Sequence, residues 1–169
     1  CVAHVNHCTR EGQSDEDAAW VESLAEKLNV PYYVKRIDVP ALARNSDKSF
    51  EEVARIHRYD FLAETAEETG YAGIATGHHA DDQAETVLMR IVRGTSPTGL
   101  AGIPAIGEWN GIPVYRPLLN ISRSEIIEYL EINSFAFIED ASNTDPRYQR
   151  NRIRHDLLPT LRDKYNPQI

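Results

Sequence analysis

The run Gly77-His78-His79-Ala80-Asp81-Asp82-Gln83-Ala84-Glu85-Thr86 gathers two histidines and three carboxylates within ten residues. A strand-like stretch, Ala72 to Ala75, precedes it, and a helix-like one, Val87 to Val92, follows. The acids therefore fall on the first turns of a helix at the end of a strand, the edge at which open α/β sheets bind ligands. Helix starts also offer unpaired N–H groups to phosphate or carboxylate. Asp82 and Glu85 are spaced i,i+3, and Asp81 and Glu85 i,i+4, so each pair can converge on one face. His78 precedes them by a turn. Two such carboxylates beside a phosphate site could hold Mg²⁺, which takes oxygen ligands; they could equally grip an ammonium group. Acids at a helix N-terminus also complement the macrodipole, each worth about 0.3–1 kcal/mol. That would account for one carboxylate. Three with two histidines read as a site.

The elements that must position this run follow from the patterning. Val2 to Asn6 reads as a buried strand. Ser14 with Asp17 resembles a capping box, opening a helix with Ala18, Val21, Ala25 and Leu28 along one stripe. Pro31 ends it, and Tyr32 to Ile37 reads as the next strand. Phe50, Val53, Ala54, His57, Phe61 and Leu62 give a second helix its core face. Ala72 to Thr76 is the third strand, and Asp81 to Arg93 the third helix, closed by Gly94. Alternating strands and helices imply a parallel sheet with right-handed crossovers. Beyond Gly94 the texture changes. Gly94 to Pro104 reads as an ordered loop over the site, and Asn110-Gly111 between Ile106-to-Trp109 and Ile112-to-Tyr115 as a hairpin. Ser122 with Glu125 forms another capping box, before a helix burying Ile126, Ile127 and Leu130. Phe135 to Ile138 reads as a last strand. Ser142-Asn143 and Asp145-Pro146 mark turns before a basic helix-like run.

The 169 residues suit one domain, with room for a core. No apolar run reaches the roughly 18 residues of a membrane span, so no membrane partner is expected. The chain opens on CVAHVNH, not on a basic and then apolar leader, and Cys1 and Cys8 have no zinc-ligand spacing. A reduced, cytoplasmic protein is the expectation. The net charge of −8 argues against nucleic acid, but the charge is uneven. Arg147 to Lys164 carries six Lys/Arg against two Asp, a local patch able to meet phosphate.

Taken together, the motifs resemble the tRNA(Ile)-lysidine synthetases of the N-type ATP pyrophosphatase (PP-loop) superfamily. His4-Val5-Asn6-His7 with Arg10 is similar to that family's second-strand motif, and Glu52, Ala54-Arg55 and Arg58-Tyr59 to its E-x-A-R-x-x-R-Y helix. GHHADDQAET, with Arg90, Arg93-Gly94 and Gly99-Leu100, resembles the central signature. Arg116-Pro117-Leu118-Leu119 with Arg123, Glu125 and Ile126 matches a further block. Glu139-Asp140, Ser142-Asn143 and Arg150-Asn151-Arg152-Ile153-Arg154 through Leu157-Leu158-Pro159 complete the series. The resemblance implies an α/β, three-layer, adenine-nucleotide hydrolase-like fold. It is expected as a single domain over 1–169, with a sheet core in 1–104 and a tRNA-facing C-terminal part in 105–169. It also implies a reaction: ATP adenylates the wobble cytidine of an isoleucine tRNA with a CAU anticodon, and free L-lysine displaces AMP. On that footing Asp82 and Glu85 would hold the lysine ammonium, Mg²⁺ or both, with Asp81 as a further candidate and His78 positioning the base or relaying a proton. His4, Asn6, His7, Arg55, Arg58 and Gly77 would meet ATP. Arg150, Arg152 and Arg154 would reach tRNA, Asn143 would shape a turn, and a second copy of the chain is kept as a candidate partner.

Two departures stand against the resemblance. The family's S-G-G-x-D-S phosphate loop is absent, and no two glycines are adjacent; the expectation is that about 30 residues, one strand–helix unit, precede Cys1, and that the chain alone is inactive. Cys8 and Thr9 stand where the family has glycine and leucine, so a φ > 0 there would strain Cys8. The rival expectations are a related tRNA thiolation enzyme, a metal hydrolase built on His78, His79, Asp82 and Glu85, and a non-catalytic nucleotide- or tRNA-binding domain.

Overall fold

The structure, a computed structural model, describes residues 1–9, 12–138, 148–167 and 169. Arg10 and the expected features at Glu139-Asp140, Ser142-Asn143 and Asp145-Pro146 lie outside them. Two compact units are present: Cys1–Ile74 with Glu108–Val114, and Ala75–Gly107 with Tyr115–Ile169.

In the first unit, β1 (Val2–Asn6) pairs in parallel with β2 (Tyr32–Arg36), Val2 opposite Tyr32 and Asn6 opposite Arg36. The connection is α1 (Gln13–Lys27). Its N-cap is Gly12, not Ser14, which lies buried inside the first turn beside Thr9. The expected capping box is therefore not used. Asp15 instead accepts from Asn6 Nδ2 at 2.6 Å and Arg36 Nη1 at 2.8 Å, tying the helix start to both strands. Leu28, expected on the buried stripe, is the C-cap and is exposed. A short helix absent from the sequence reading, α2 (Val39–Arg44), starts where Asp38 caps Ala41 N. The long helix α3 (Phe50–Thr69) has Ser49 as N-cap and a left-handed Gly70 at its end. It outruns the expected Leu62 because Tyr59, Ala63 and Ala66 continue the buried stripe at i, i+4 and i+7. With Ile74 and Val114 they form the core, against which Leu62, Trp109 and Ile112 pack. Phe50, expected on that face, is exposed.

A second sheet has the order β3-β5-β4, with β3 (Ile74–Ala75), β4 (Ile106–Trp109) and β5 (Ile112–Tyr115). β3 is shorter than the five residues expected. The hairpin stands as read: Asn110 (φ 49°) and Gly111 (φ 82°) both take positive φ, as the two-residue turn that matches strand twist requires.

The second unit carries α4 (Ala80–Arg93), capped by Gly94 as expected, and α5 (Arg123–Ile132), opened by the Ser122–Glu125 capping box. Phe135 to Ile138 forms no strand; its residues are exposed and Phe135 stacks on Tyr129. A short apolar run carries no period that tells strand from loop. The basic run folds as α6 (Gln149–Arg152), a π turn (Ile153–Leu157) and α7 (Leu158–Lys164).

Candidate functional site

The first turn of α4 sends the two oxygens of Asp82 to different tasks. Oδ2 accepts from the His79 amide at 3.0 Å, capping the helix, and Oδ1 accepts from Arg150 Nη2 at 2.7 Å. One turn on, Glu85 is wholly buried, at 0 % exposure. Arg150 Nε donates to its Oε2 and Arg154 Nε to its Oε1, both at 2.6 Å, and Arg154 Nη2 reaches Oε2 at 3.2 Å. A carboxylate taken out of water costs several kcal/mol unless it is paired and hydrogen-bonded. The arginines meet that demand because i,i+4 spacing sets them on one face across the π turn, a geometry frequent at functional sites. Burial disfavours the Arg154 cation, yet the hydrogen bond and charge of Glu85, with Asp82 and Asp81 behind, outweigh this and raise its pKa.

Other residues named from the sequence take different places. Arg152, between the two, is exposed and makes no ion pair among the described residues. Asp81 serves the fold: Oδ2 accepts from the Arg123 amide at 2.8 Å, at the start of α5, and Oδ1 from Arg162 Nη2 at 3.2 Å. Burial pushes its carboxyl up, but those donors, the Arg162 charge and His79 hold it below the ordinary range. His78 Nδ1 lies 2.8 Å from Thr76 Oγ1, which fixes the ring. At Gly77 a Cβ would meet open space, so packing does not explain the glycine.

Mg²⁺ does not fit the Asp82–Glu85 pair. All four oxygens face N–H donors, and two guanidinium groups already supply the cationic charge. Among the described residues no three His, Cys, Asp or Glu side chains cluster as a metal site, which also weighs against the metal-hydrolase expectation.

Sequence reasoning missed Gln83 and Arg90. Gln83 Nε2 donates to Ala101 O and Ile103 O, its Oε1 accepts from Ile103 N, and Arg90 Nη1 donates to Gly99 O and Gly102 O. A Cβ at Gly102 would lie 2.5 Å from Gln83 Oε1, so the glycine lets the loop close onto α4. The signal was present: both residues lie in or beside the central signature.

The first unit holds a second group. His7 stands at the end of β1 with its Nδ1 buried and without a hydrogen-bond partner. Burial first, then the charges of Arg58, His4 and His57, push its pKa down to about 4. His4 is also lowered by burial, with Asp17 partly offsetting. Arg55 lies over the Tyr59 ring at 4.6 Å, and neither Arg55 nor Arg58 forms an ion pair among the described residues; Glu52 pairs with Lys48 instead. Asn6 is committed to the fold: Nδ2 donates to Asp15, and Oδ1 accepts from Cys8 N at 3.0 Å. Cys8 does take positive φ, at 54°. His57, read as a core residue, and Asp15 were the omissions here.

A model described as the PP-loop domain matches residues 1–161 of this sequence. The chain belongs to the PP-loop family. Among curated proteins, this PP-loop chain is 44 % identical over 166 residues to the tRNA(Ile)-lysidine synthase of Geobacter sulfurreducens, covering 98 % of the chain and 35 % of that protein. It is 42 % identical over 168 residues to the bifunctional protein TilS/HprT of Listeria monocytogenes, covering 99 % and 26 %. It is 41 % identical over 168 residues to the lysidine synthase of Thermotoga maritima, covering 99 % and 39 %. The PP-loop chain thus spans roughly a quarter to two-fifths of the length of these relatives. Among solved structures, the U34-tRNA thiolase NcsA of Methanococcus maripaludis, with its [4Fe-4S] cluster, superposes with a TM-score of 0.69 at 20 % identity, covering 96 % of this chain and 55 % of that one. That likeness concerns the fold alone, and it supports an adenine-nucleotide hydrolase-like α/β architecture.

Proposed function

We propose that this chain supplies the catalytic domain of an ATP-dependent ligase that joins free L-lysine to the wobble cytidine of an isoleucine tRNA with a CAU anticodon. The observation that carries the reading is the buried Glu85 with Asp82, a carboxylate pair matched throughout to N–H donors. An ammonium is itself an N–H donor and can take the place of a guanidinium N–H on these oxygens, which a metal ion cannot. The names of the relatives give that ammonium a chemical setting.

In the first step the O2 oxygen of cytidine attacks the α-phosphorus of ATP, and the bond to pyrophosphate breaks. The lysine ε-nitrogen then attacks C2 of the base, the C2–O bond breaks, and AMP leaves. His4, His7, Arg55 and Arg58 are assigned to the nucleotide, where phosphate charge needs stabilising as pyrophosphate departs. The Arg58 guanidinium and the imidazoles of His4 and His57, beside a buried His7 nitrogen without a partner, fit an anion at that end. Gly77, with open space at its Cβ position, is assigned to close approach of the nucleotide. Asn6 holds the loop after β1, and Asp81 separately ties α4 to α5 and α7. Arg152 is assigned to tRNA phosphate. Asp82 and Glu85 favour the charged amine, whose reference pKa is about 10.4, so its proton goes to another group, with His78 assigned to relay it. No step is assigned to Mg²⁺ on the carboxylate pair. The reaction is placed in the cytoplasm; among the described residues no helix is long and apolar enough to cross a membrane.

The test is incorporation of labelled lysine into an unmodified isoleucine tRNA transcript, with MgATP and with the chain extended by the phosphate loop that the resemblance implies. Incorporation that needs ATP and disappears with Asp82→Ala is the expected result. A folded, ATP-binding protein that incorporates nothing would end the lysidine reading and move the weight to thiolation or to non-catalytic binding.

A further inference from the structure

Arg150 spans the gap between the two carboxylates, with Nη2 on Asp82 Oδ1 at 2.7 Å and Nε on Glu85 Oε2 at 2.6 Å. That gap is where a single compact cation would sit. Among the described residues its partners are these two acids alone, and 40 % of its side chain is exposed. Arg154 differs: its side chain is 24 % exposed and its Nε holds the other oxygen of Glu85, Oε1. Glu85 therefore has one deeply held guanidinium and one that can be drawn off without leaving it bare. Exposed Arg152 follows Arg150 by two residues, and Arg93 is fixed beside α6 by Gln149 at 2.8 Å, so Arg150 lies among cations that an RNA backbone can meet.

Resting on the reading that the substrate ammonium binds Asp82 and Glu85, we propose that Arg150 is a resident counterion that substrate RNA withdraws, coupling the RNA and amine sites. A guanidinium binds phosphate through paired N–H donors, so an RNA phosphate competes well for it. Once Arg150 turns outward, Asp82 Oδ1 loses its donor and Glu85 Oε2 keeps only Arg154 Nη2, at 3.2 Å. A partly unpaired buried acid is costly, so the affinity for a compact cation rises. Without RNA, free lysine must displace a group tethered at high effective concentration. By linkage, the amine strengthens RNA binding by the same factor. The device admits the amine when the base it must attack is present.

The experiment titrates L-lysine calorimetrically into the protein, without ATP, with and without an unmodified isoleucine tRNA transcript. In wild type the RNA is expected to tighten lysine about tenfold or more, within the usual range of coupling of about 5- to 150-fold. Arg150→Gln is expected to bind lysine more tightly than wild type when RNA is absent, and to lose the coupling to within about twofold. Should that variant not fold, Arg150→Lys serves, since one ammonium group cannot reproduce the two-point bridge. Arg152→Gln is expected to weaken RNA binding while the RNA-saturated protein keeps the full coupling. Lysine binding that ignores RNA in wild type would overturn the inference and leave the ammonium site standing. Coupling that survives in Arg150→Gln would overturn the assignment to Arg150. Lysine that binds under neither condition would remove the underlying reading and this inference with it.

Discussion

In the unit that carries α4, each oxygen of Asp82 and Glu85 meets a donor, and opposite charges lie within 2.6–2.7 Å of one another. In the unit built on β1 and α3 the arrangement is reversed: His7 lies beside the Arg58 guanidinium and the imidazoles of His4 and His57, and only Asp17 near His4 offsets them. The first group is neutralised from within and contributes to folding whether or not a ligand is bound. The second repels itself and gains most when an anion arrives. On the proposed reading, the carboxylate pair is ordered by its own arginines before any ligand arrives, whereas the His7 group settles only when an anion binds.

The strongest way to break this comparison is Glu85→Gln. It leaves Arg150 and Arg154 facing a buried neutral group, and breaking a buried ion pair costs about 3–5 kcal/mol. Urea unfolding should show that loss in the midpoint, and a loss below about 1 kcal/mol would mean that the network behaves as a surface pair. Arg58→Ala, in the other unit, should do the opposite to stability and to binding. It removes a repelling charge, so His7 should titrate above its present value of about 4. Phosphate ligands should weaken by about tenfold, the equivalent of about 1.4 kcal/mol. In wild type, pyrophosphate should raise the His7 pKa, because an anion favours the imidazolium; ring-proton NMR titration with and without pyrophosphate reads this directly. The linkage has a definite sign. His7 is lowered, so its contribution to stability is complete above its unfolded value near 6.5 and fades as pH falls toward 4.

The two groups also differed in how much the sequence revealed. Asp82 and Glu85 were legible as a pair because helical spacing alone puts them on one face. Arg150 and Arg154 were legible as basic residues, but not as partners of Glu85, because their pairing spans 65 and 69 positions and no local pattern encodes it. Asp81 and Asp82 look equivalent in sequence; one faces α5 and Arg162, the other Arg150, and only the packing of α5 and α7 decides. The hairpin and the Ser122 cap were legible since their chemistry is local. The Ser14 cap failed for the same reason in reverse: Gly12 offered a competing start, and Asp15 was drawn to Asn6 and Arg36. His57 was read as core because helical period reports which face is turned inward, not what lies opposite.

Smaller effects sharpen the same contrast. Asp81→Asn keeps the shape and removes the charge that Arg162 and the α5 amide share. The cost should be about 1 kcal/mol, the usual worth of a helix-terminal cap. It should vanish in acid: a lowered carboxyl contributes fully above its unfolded pKa near 3.8 and is lost as pH falls through its folded value. Equal stabilities of the two proteins at neutral pH would show that Arg123 and Arg162 are held by other means.

The smallest expected effect comes from the loop after β1. Cys8 holds φ at 54°, supported by the hydrogen bond its N–H donates to Asn6 Oδ1 and a long contact from Sγ to Asn6 O. A side chain in the left-handed region costs about 1–2 kcal/mol, and glycine avoids this while giving back about 0.5–1 kcal/mol of unfolded-chain entropy. Cys8→Gly should therefore stabilise the protein by up to about 1 kcal/mol, while Cys8→Val, branched at Cβ, should destabilise it. The pair separates backbone strain from any service of the thiol: strain predicts opposite signs in the two thermal melts, whereas a structural need for Sγ predicts a loss in both. Because Cys8 directly follows His7, the glycine variant also tests whether the anion group depends on a stiff loop. If pyrophosphate affinity is unchanged, the cations are positioned by β1 and α3 alone; if it falls while the melting point rises, the strained loop holds His7 in place.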